Sequence, residues 1–200
     1  MRSHMLLKKS DKESVKITSD ILKKGGIVII PTDTVYGFSG IVACTNKDGK
    51  TTDAVIREIK GRSETKPLIQ LIAKPEDIRL YTDDEIPESL LSKWPGALTI
   101  IVNIKKSAPE YETLPTVAFR CPGDPWLRQI IENCNCPIYS TSVNRSGKPV
   151  LDEVSAIVSE FENEVDLIID DGDKKGAVPS TLVSIEANKV KVLRQGSVVI

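Results

Sequence analysis

The sequence predicts a single α/β domain with a twisted, mostly mixed sheet flanked by helices. Three observations carry this. Apolar runs of helical period alternate with short β-rich runs along all 200 residues. No repeat, low-complexity stretch or Pro/Ser-rich linker divides the chain. The connections between runs differ in length, which favours a mixed sheet over a purely parallel one. A chain this long buries about 70% of its unfolded surface and needs no disulfide or metal to fold.

Met1-Arg2-Ser3-His4 reads as an expression-tag remnant, which leaves the domain at 5–200. Ser10-Asp11-Lys12-Glu13 spells a capping box, and Val15, Thr18, Ile21 and Leu22 form the stripe of a first helix that Gly25-Gly26 ends. Residues 27–30 form a short buried strand stopped by Pro31. A second helix covers Thr52–Lys60, with Val55, Ile56 and Ile59 inward and Gly61 closing it. Residues 68–73 form a strand, and short helices start near Pro75 and Pro87. The run 98–104 is an apolar strand. Residues 116–121 alternate, with Val117, Phe119 and Cys121 on one face and Arg120 on the other. Asp124-Pro125 starts a helix bearing Trp126, Leu127, Ile130 and Ile131. Strand 137–142 ends in hydroxyls, helix 152–161 follows, and then strand Leu167–Asp170. A polar loop, 170–175, precedes two closing strands at 181–185 and 190–194.

Composition excludes several chemistries. The only His is His4, so a native chain starting at Met5 has none. That removes Ser-His-Asp and Cys-His catalysis and every His-ligated zinc site. Cys44, Cys121, Cys134 and Cys136 lack zinc-site spacing and read as plain cytosolic thiols, with a redox or weak metal role as the alternative. With 27 basic and 28 acidic residues, net charge −1, the chain lacks the basic excess of a dedicated nucleic-acid binder. No apolar run reaches membrane-spanning length and no secretion signal is evident, so the expected location is cytoplasmic.

The sequence lacks both G-x-x-x-x-G-K-[S/T] and G-x-G-x-x-G. Polar residues nonetheless gather at strand ends, where α/β sheets bind ligands. Pro31-Thr32-Asp33-Thr34-Val35-Tyr36-Gly37 is either a self-bonded turn or a pocket wall. Lys60-Gly61-Arg62, with Lys66-Pro67, is either an ordinary cationic helix end or a phosphate clamp. Ser140-Thr141-Ser142-Val143-Asn144-Arg145-Ser146-Gly147 is either a polar turn or a set of donors for a nucleotide. Arg120 either faces solvent or binds a carboxylate. Pro179-Ser180-Thr181 and Arg194-Gln195-Gly196 are weak alone.

Taken in order, these motifs, with K-P-L at 66–68 and P-G-x-L-T at 95–99, resemble the YrdC-like (TsaC) family of threonylcarbamoyl-AMP synthases in its short form. The resemblance implies a twisted sheet around a deep basic cavity. It implies that L-threonine, bicarbonate or CO2, and ATP with Mg2+ become threonylcarbamoyl-AMP and pyrophosphate. Downstream transfer proteins (TsaD/TsaB/TsaE-like) would then modify tRNA adenosine beside the anticodon. Carried over, Arg62, Lys66, Thr116, Ser142, Asn144 and Arg194 face ATP. Lys60 and Arg62 are the catalytic cations. Thr34, Arg120 and Ser180 hold threonine, with Thr32 and Tyr36 shaping the pocket. No resident metal ligand is implied.

Three residues depart from the family pattern. Leu71 stands where long forms carry His, Val143 replaces the usual Ala, and Asp152 falls where Thr often meets ATP. The short distance from Arg194 to the chain end fits the short form. Two other readings compete: a YciO-like paralogue acting on RNA or a carbamoyl-adenylate, and an RNA-binding module. Direct contact with tRNA or RNA is open at this level.

Overall fold

The computed structural model describes residues 5–61, 68–107, 114–186 and 189–200. Among them, ten strands form one sheet. The strands are β1 (Met5–Lys8), β2 (Val28–Ile30), β3 (Gly37–Ser39), β4 (Ile69–Leu71), β5 (Leu98–Asn103), β6 (Thr116–Arg120), β7 (Ile138–Ser142), β8 (Leu167–Asp170), β9 (Thr181–Glu186) and β10 (Lys189–Arg194). The helices are α1 (Ser14–Lys23), α2 (Thr52–Lys60), α3 (Glu88–Leu91), α4 (Pro125–Cys134) and α5 (Val154–Phe161), with a 3-10 turn at Pro75–Leu80. The order across the sheet is β1-β8-β2-β3-β7-β4-β6-β5-β9-β10. Parallel pairs (β1·β8, β2·β8, β4·β6, β5·β9) mix with antiparallel ones, as the uneven connections predict.

Helix α2 shows why the sequence was readable here. Thr51 is extended, Asp53 sits in the first turn and Lys60 in the last, and Gly61 adopts φ 60. Each feature suits a helix end. In α4 the Asp124 carboxylate accepts the Trp126 N–H at 3.0 Å, capping the helix that Pro125 opens.

The capping box at Ser10–Glu13 does not form. The chain turns once more before α1, because the Asp11 carboxylate takes the Lys8 N–H at 3.1 Å and Ser14 Oγ donates to Lys9 O at 2.8 Å. The helix starts at Ser14 with no side-chain cap. Strands β1 and β3 were also unforeseen. β1 is short and largely exposed, and β3 begins at a glycine inside a segment that reads as a turn.

The sheet's two faces decide where ligands can reach. On β5, β6 and β9, the residues Leu98, Ile100, Val102, Val117, Phe119 and Val183 are buried against Ile78, Ile86, Leu90 and Trp94. The intervening residues Ile101, Ala118, Arg120 and Leu182 turn to the opposite face, which is hollow. Two further apolar clusters fill the domain under α1 and α4 and under α2 and α5. Leu71 and Val143 are buried in them.

Candidate functional site

The hollow face is a cavity of about 510 Å³, a volume usual for small-molecule sites. The β2–β3 connection brings Thr32, Thr34 and Tyr36 to its wall. Strand β7 brings Ser140, Thr141 and Ser142, β6 brings Arg120, and the segment before β9 brings Ser180 beside Arg194. Seven of the residues singled out in the sequence therefore meet in one place: Thr32, Thr34, Tyr36, Arg120, Ser142, Ser180 and Arg194.

Hydrogen bonding at the β2–β3 connection has a fixed direction. Thr32 Oγ1 donates to Val35 O at 2.7 Å and accepts the Thr34 N–H at 3.0 Å. Its one proton is used, so in the 2.9 Å contact between the two hydroxyls Thr34 is the donor. Arg120 Nη1 then donates to Thr34 Oγ1 at 2.9 Å. A hydroxyl that donates once and accepts once keeps one lone pair, so Thr34 presents an acceptor to the cavity.

Arg120 is 4% exposed, so it does not face solvent. Its Nε donates to Gly96 O at 3.1 Å, and its Nη2 pairs with Asp33 Oδ1. The other Asp33 oxygen accepts the Gly123 N–H at 2.9 Å. Burial pulls the Arg120 guanidinium below the ordinary arginine value, against the opposing pull of Asp33. From so high a starting point it stays charged. Three of its five N–H donors are in these bonds.

Across the cavity, Ser180 Oγ lies 2.7 Å from the buried Thr99 Oγ1. Arg194 donates from Nε to Ser180 O at 3.0 Å and from Nη2 to Ser180 Oγ at 3.2 Å. Partial burial also lowers the Arg194 value. Behind them, Thr181 Oγ1 accepts the Gly196 N–H at 2.9 Å and donates to Val198 O at 2.7 Å. A Cβ on Gly196 would sit 2.4 Å from Pro179 O and 2.5 Å from Thr181 N, so the fit requires glycine.

The S-x-N turn is organised by Lys60. The ammonium is not on the cavity wall. It is 3% exposed and donates to Ser142 O, to Asn144 O at 3.0 Å and to Asn144 Oδ1 at 2.9 Å. Ser142 Oγ donates to the same Oδ1 at 2.8 Å. The Asn144 amide donates to Arg145 O at 2.9 Å and Lys148 O at 2.8 Å. All four hydrogen-bonding positions of that amide are filled from within the protein. Lys60, expected at the phosphates, and Asn144, expected to face ATP, are bonded to each other and to Ser142, because an ammonium this deep takes carbonyl partners in place of water. Thr116 shares the strand face of Ala118 and Arg120 but lies outside the cavity lining. Arg62 and Lys66 lie outside the described residues.

Tyr36 is fully buried under the wall. Its hydroxyl donates to Gly172 O at 2.8 Å and accepts the Asp171 N–H at 2.9 Å, tying the 170–176 loop to the cavity. Burial pushes the phenol up to about 12, with a backbone hydrogen bond from Asp171 opposing. Asp152 holds Lys174 N–H through its backbone carbonyl at 2.7 Å.

Sequence reasoning missed Asp33 as the partner of Arg120 and Thr99 as the partner of Ser180. Both lay inside quoted motifs, but each partnership spans more than eighty residues. A second hollow, about 370 Å³, lies beside Lys74, Asp77 and Glu132 and holds none of the expected site residues. All four cysteines are free thiols. No helix among the described residues is long and apolar enough to cross a membrane.

The Sua5/YciO/YrdC family model, described as telomere recombination, matches residues 20–196. The chain is 32% identical to threonylcarbamoyl-AMP synthase of Pyrococcus abyssi over 188 residues, 91% of this chain and 54% of that protein. It is 32% identical to a putative threonylcarbamoyl-AMP synthase of Methanocaldococcus jannaschii, covering 93% of this chain and 89% of that one. Against the Bacillus subtilis synthase the identity is 33%, over 89% of this chain and 52% of that one. The chain thus spans about half the length of the P. abyssi and B. subtilis relatives. Among solved structures, P. abyssi Sua5 complexed with L-threonine superposes with TM-score 0.80 at 30% identity, over 95% of this chain and 56% of that one. Escherichia coli YciO superposes with TM-score 0.81 over 98% of this chain and 97% of that one; at 22% identity this likeness bears on fold alone.

Proposed function

Because this chain belongs to the Sua5/YciO/YrdC family, we propose that it is an L-threonylcarbamoyladenylate synthase, a nucleotidyltransferase acting on L-threonine, bicarbonate or CO2, and ATP. One observation carries the reading. A buried, charged Arg120 and an acceptor hydroxyl on Thr34 stand side by side on the cavity wall, 2.9 Å apart. L-Threonine has the matching groups, an anionic carboxylate next to N–H and O–H donors. The two remaining Arg120 donors take the carboxylate. Thr34 accepts from the amino acid, and Ser180, held by Thr99 and Arg194, meets it from the other side.

In this reading the neutral threonine amine attacks CO2, and its proton passes to water or bicarbonate as the carbamate forms. A carbamate oxygen then attacks the α-phosphorus of ATP, forming threonylcarbamoyl-AMP as pyrophosphate leaves. No step needs a protein nucleophile. The work is positioning of two bound reactants and stabilisation of negative charge on phosphate oxygens. Ser142 and Arg194 face the nucleotide from the wall, with Arg62, Lys66 and Thr116 as further contacts. Lys60 and Asn144 act by shaping the turn that presents Ser142. Mg2+ would enter with the nucleotide and neutralise phosphate charge, held by phosphate oxygens and water rather than by Asp33, which is committed to Arg120 and Gly123.

The product goes to threonylcarbamoyl-transfer proteins of the TsaD/TsaB/TsaE kind and from them to tRNA adenosine. The protein acts in the cytoplasm. The test is pyrophosphate release from ATP with Mg2+ and bicarbonate. Release that requires L-threonine, and that L-valine does not support, is the expected result. Threonine-independent release, or none, would count against the reading.

A further inference from the structure

The end of α2 and the turn after β7 hold each other from both sides. From α2, the Lys60 ammonium reaches into the turn at Ser142 and Asn144. From the turn, Ser146 N–H donates to Lys60 O at 2.7 Å and Arg145 Nη1 donates to Ile59 O. Those two carbonyls are among the last of the helix, which have no intrahelical partner. Arg145 is fixed in turn. It forks onto Glu164, donates from Nε to Glu160 at 2.8 Å, and stacks its guanidinium 4.6 Å from the Phe161 ring centroid. Arg145 does not line the cavity.

We propose that Arg145 is a positioning residue for the nucleotide side of the site: it locks the S-x-N turn onto the end of α2 through Ile59, so that Ser142 is held in place at the cavity wall. The inference rests on the reading that a nucleotide binds beside Ser142. The ion pairs to Glu160 and Glu164 are half-exposed and weak as charges alone. The planar fork gives them direction, which lysine lacks. The Arg145 contacts share no residue with the Thr32–Thr34–Asp33–Arg120–Ser180 network, so its removal reaches one side of the cavity only.

The test compares wild type with Arg145→Ala, Arg145→Lys and Glu164→Gln. Calorimetry gives Kd for a non-hydrolysable ATP analogue and, separately, for L-threonine; thermal unfolding gives Tm. Arg145→Ala weakens the analogue at least fivefold and leaves threonine within twofold. Arg145→Lys and Glu164→Gln shift the analogue in the same direction by less. Unchanged analogue affinity, or equal weakening of both ligands, overturns the proposal. Should Arg145→Ala not fold, the other two variants decide by the same ratio. A wild type that binds both ligands but forms no product defeats the synthase reading and leaves this ratio measurable. A wild type that binds no analogue overturns both.

Discussion

Asp33 and Arg120, 87 positions apart in the chain, form an ion pair whose arginine lines the cavity, and the second Asp33 oxygen is held by the Gly123 N–H. The pair places a charge that is costly to bury where an anionic substrate group can share it. It also fixes the plane of the guanidinium before any ligand arrives.

Arg120→Ala should raise the threonine KM at least tenfold and change the ATP KM less than threefold. Arg120→Lys should not rescue it, because one ammonium cannot replace donors aimed at Gly96, Thr34 and Asp33 together. Asp33→Asn should raise the threonine KM severalfold with a smaller loss of kcat. Steady-state kinetics in each substrate check this; equal shifts in both KM values would contradict it.

Lys60→Met removes the donor for three acceptors in the S-x-N turn. Asn144 Oδ1 keeps the Ser142 hydroxyl, while Ser142 O and Asn144 O lose the ammonium; a buried acceptor left unpaired costs about 1–3 kcal/mol. The variant should therefore lose several degrees of Tm and at least tenfold in turnover. A variant with wild-type Tm and low turnover would instead mark Lys60 as a direct contact of the reacting groups.

Gly196→Ala should be among the costliest small changes in the protein. The three atoms nearest to its Cβ would all be backbone, Pro179 O, Thr181 N and Ser180 C, at 2.4–2.7 Å. Overpacking of this kind costs about 1–3 kcal/mol. The strain falls on Ser180 and Arg194, so threonine affinity should drop along with Tm. Unaltered Tm and KM would show that the clamp at 194–198 is dispensable.

Tyr36→Phe should lower stability near pH 9, because Gly172 O and Asp171 N lose their partner. The folded phenol titrates at about 12, above its ordinary 10. Its contribution is complete below pH 10 and is lost as pH rises toward 12. The gap in urea midpoint between wild type and variant should therefore narrow between pH 10 and 12. A gap that stays constant or widens over that range would be inconsistent with the buried, neutral phenol.

Local signals carried much of this structure. Thr52–Lys60 and Leu167–Asp170 fall where capping chemistry and apolar runs place them. The alternation at 116–121 put Arg120 opposite Phe119, which is why it reaches the cavity. Strand β3 was hidden, since three residues starting at Gly37 give no period to count. The direction of the Thr32–Thr34 bond, the Asp33–Arg120 pair and the Thr99–Ser180 contact depend on strands meeting in space. Motif spacing found the residues but could not say which line the cavity and which, like Lys60, bond to those that do.

The most direct test of the central claim is product identity. The purified chain is incubated with ATP, Mg2+, L-threonine and isotope-labelled bicarbonate, and the mixture is resolved by chromatography with mass detection. The expected product is threonylcarbamoyl-AMP carrying the label in its carbamoyl carbon, formed only with L-threonine present and lost in Arg120→Ala at low threonine. Bound ATP and threonine with no labelled adenylate would contradict it.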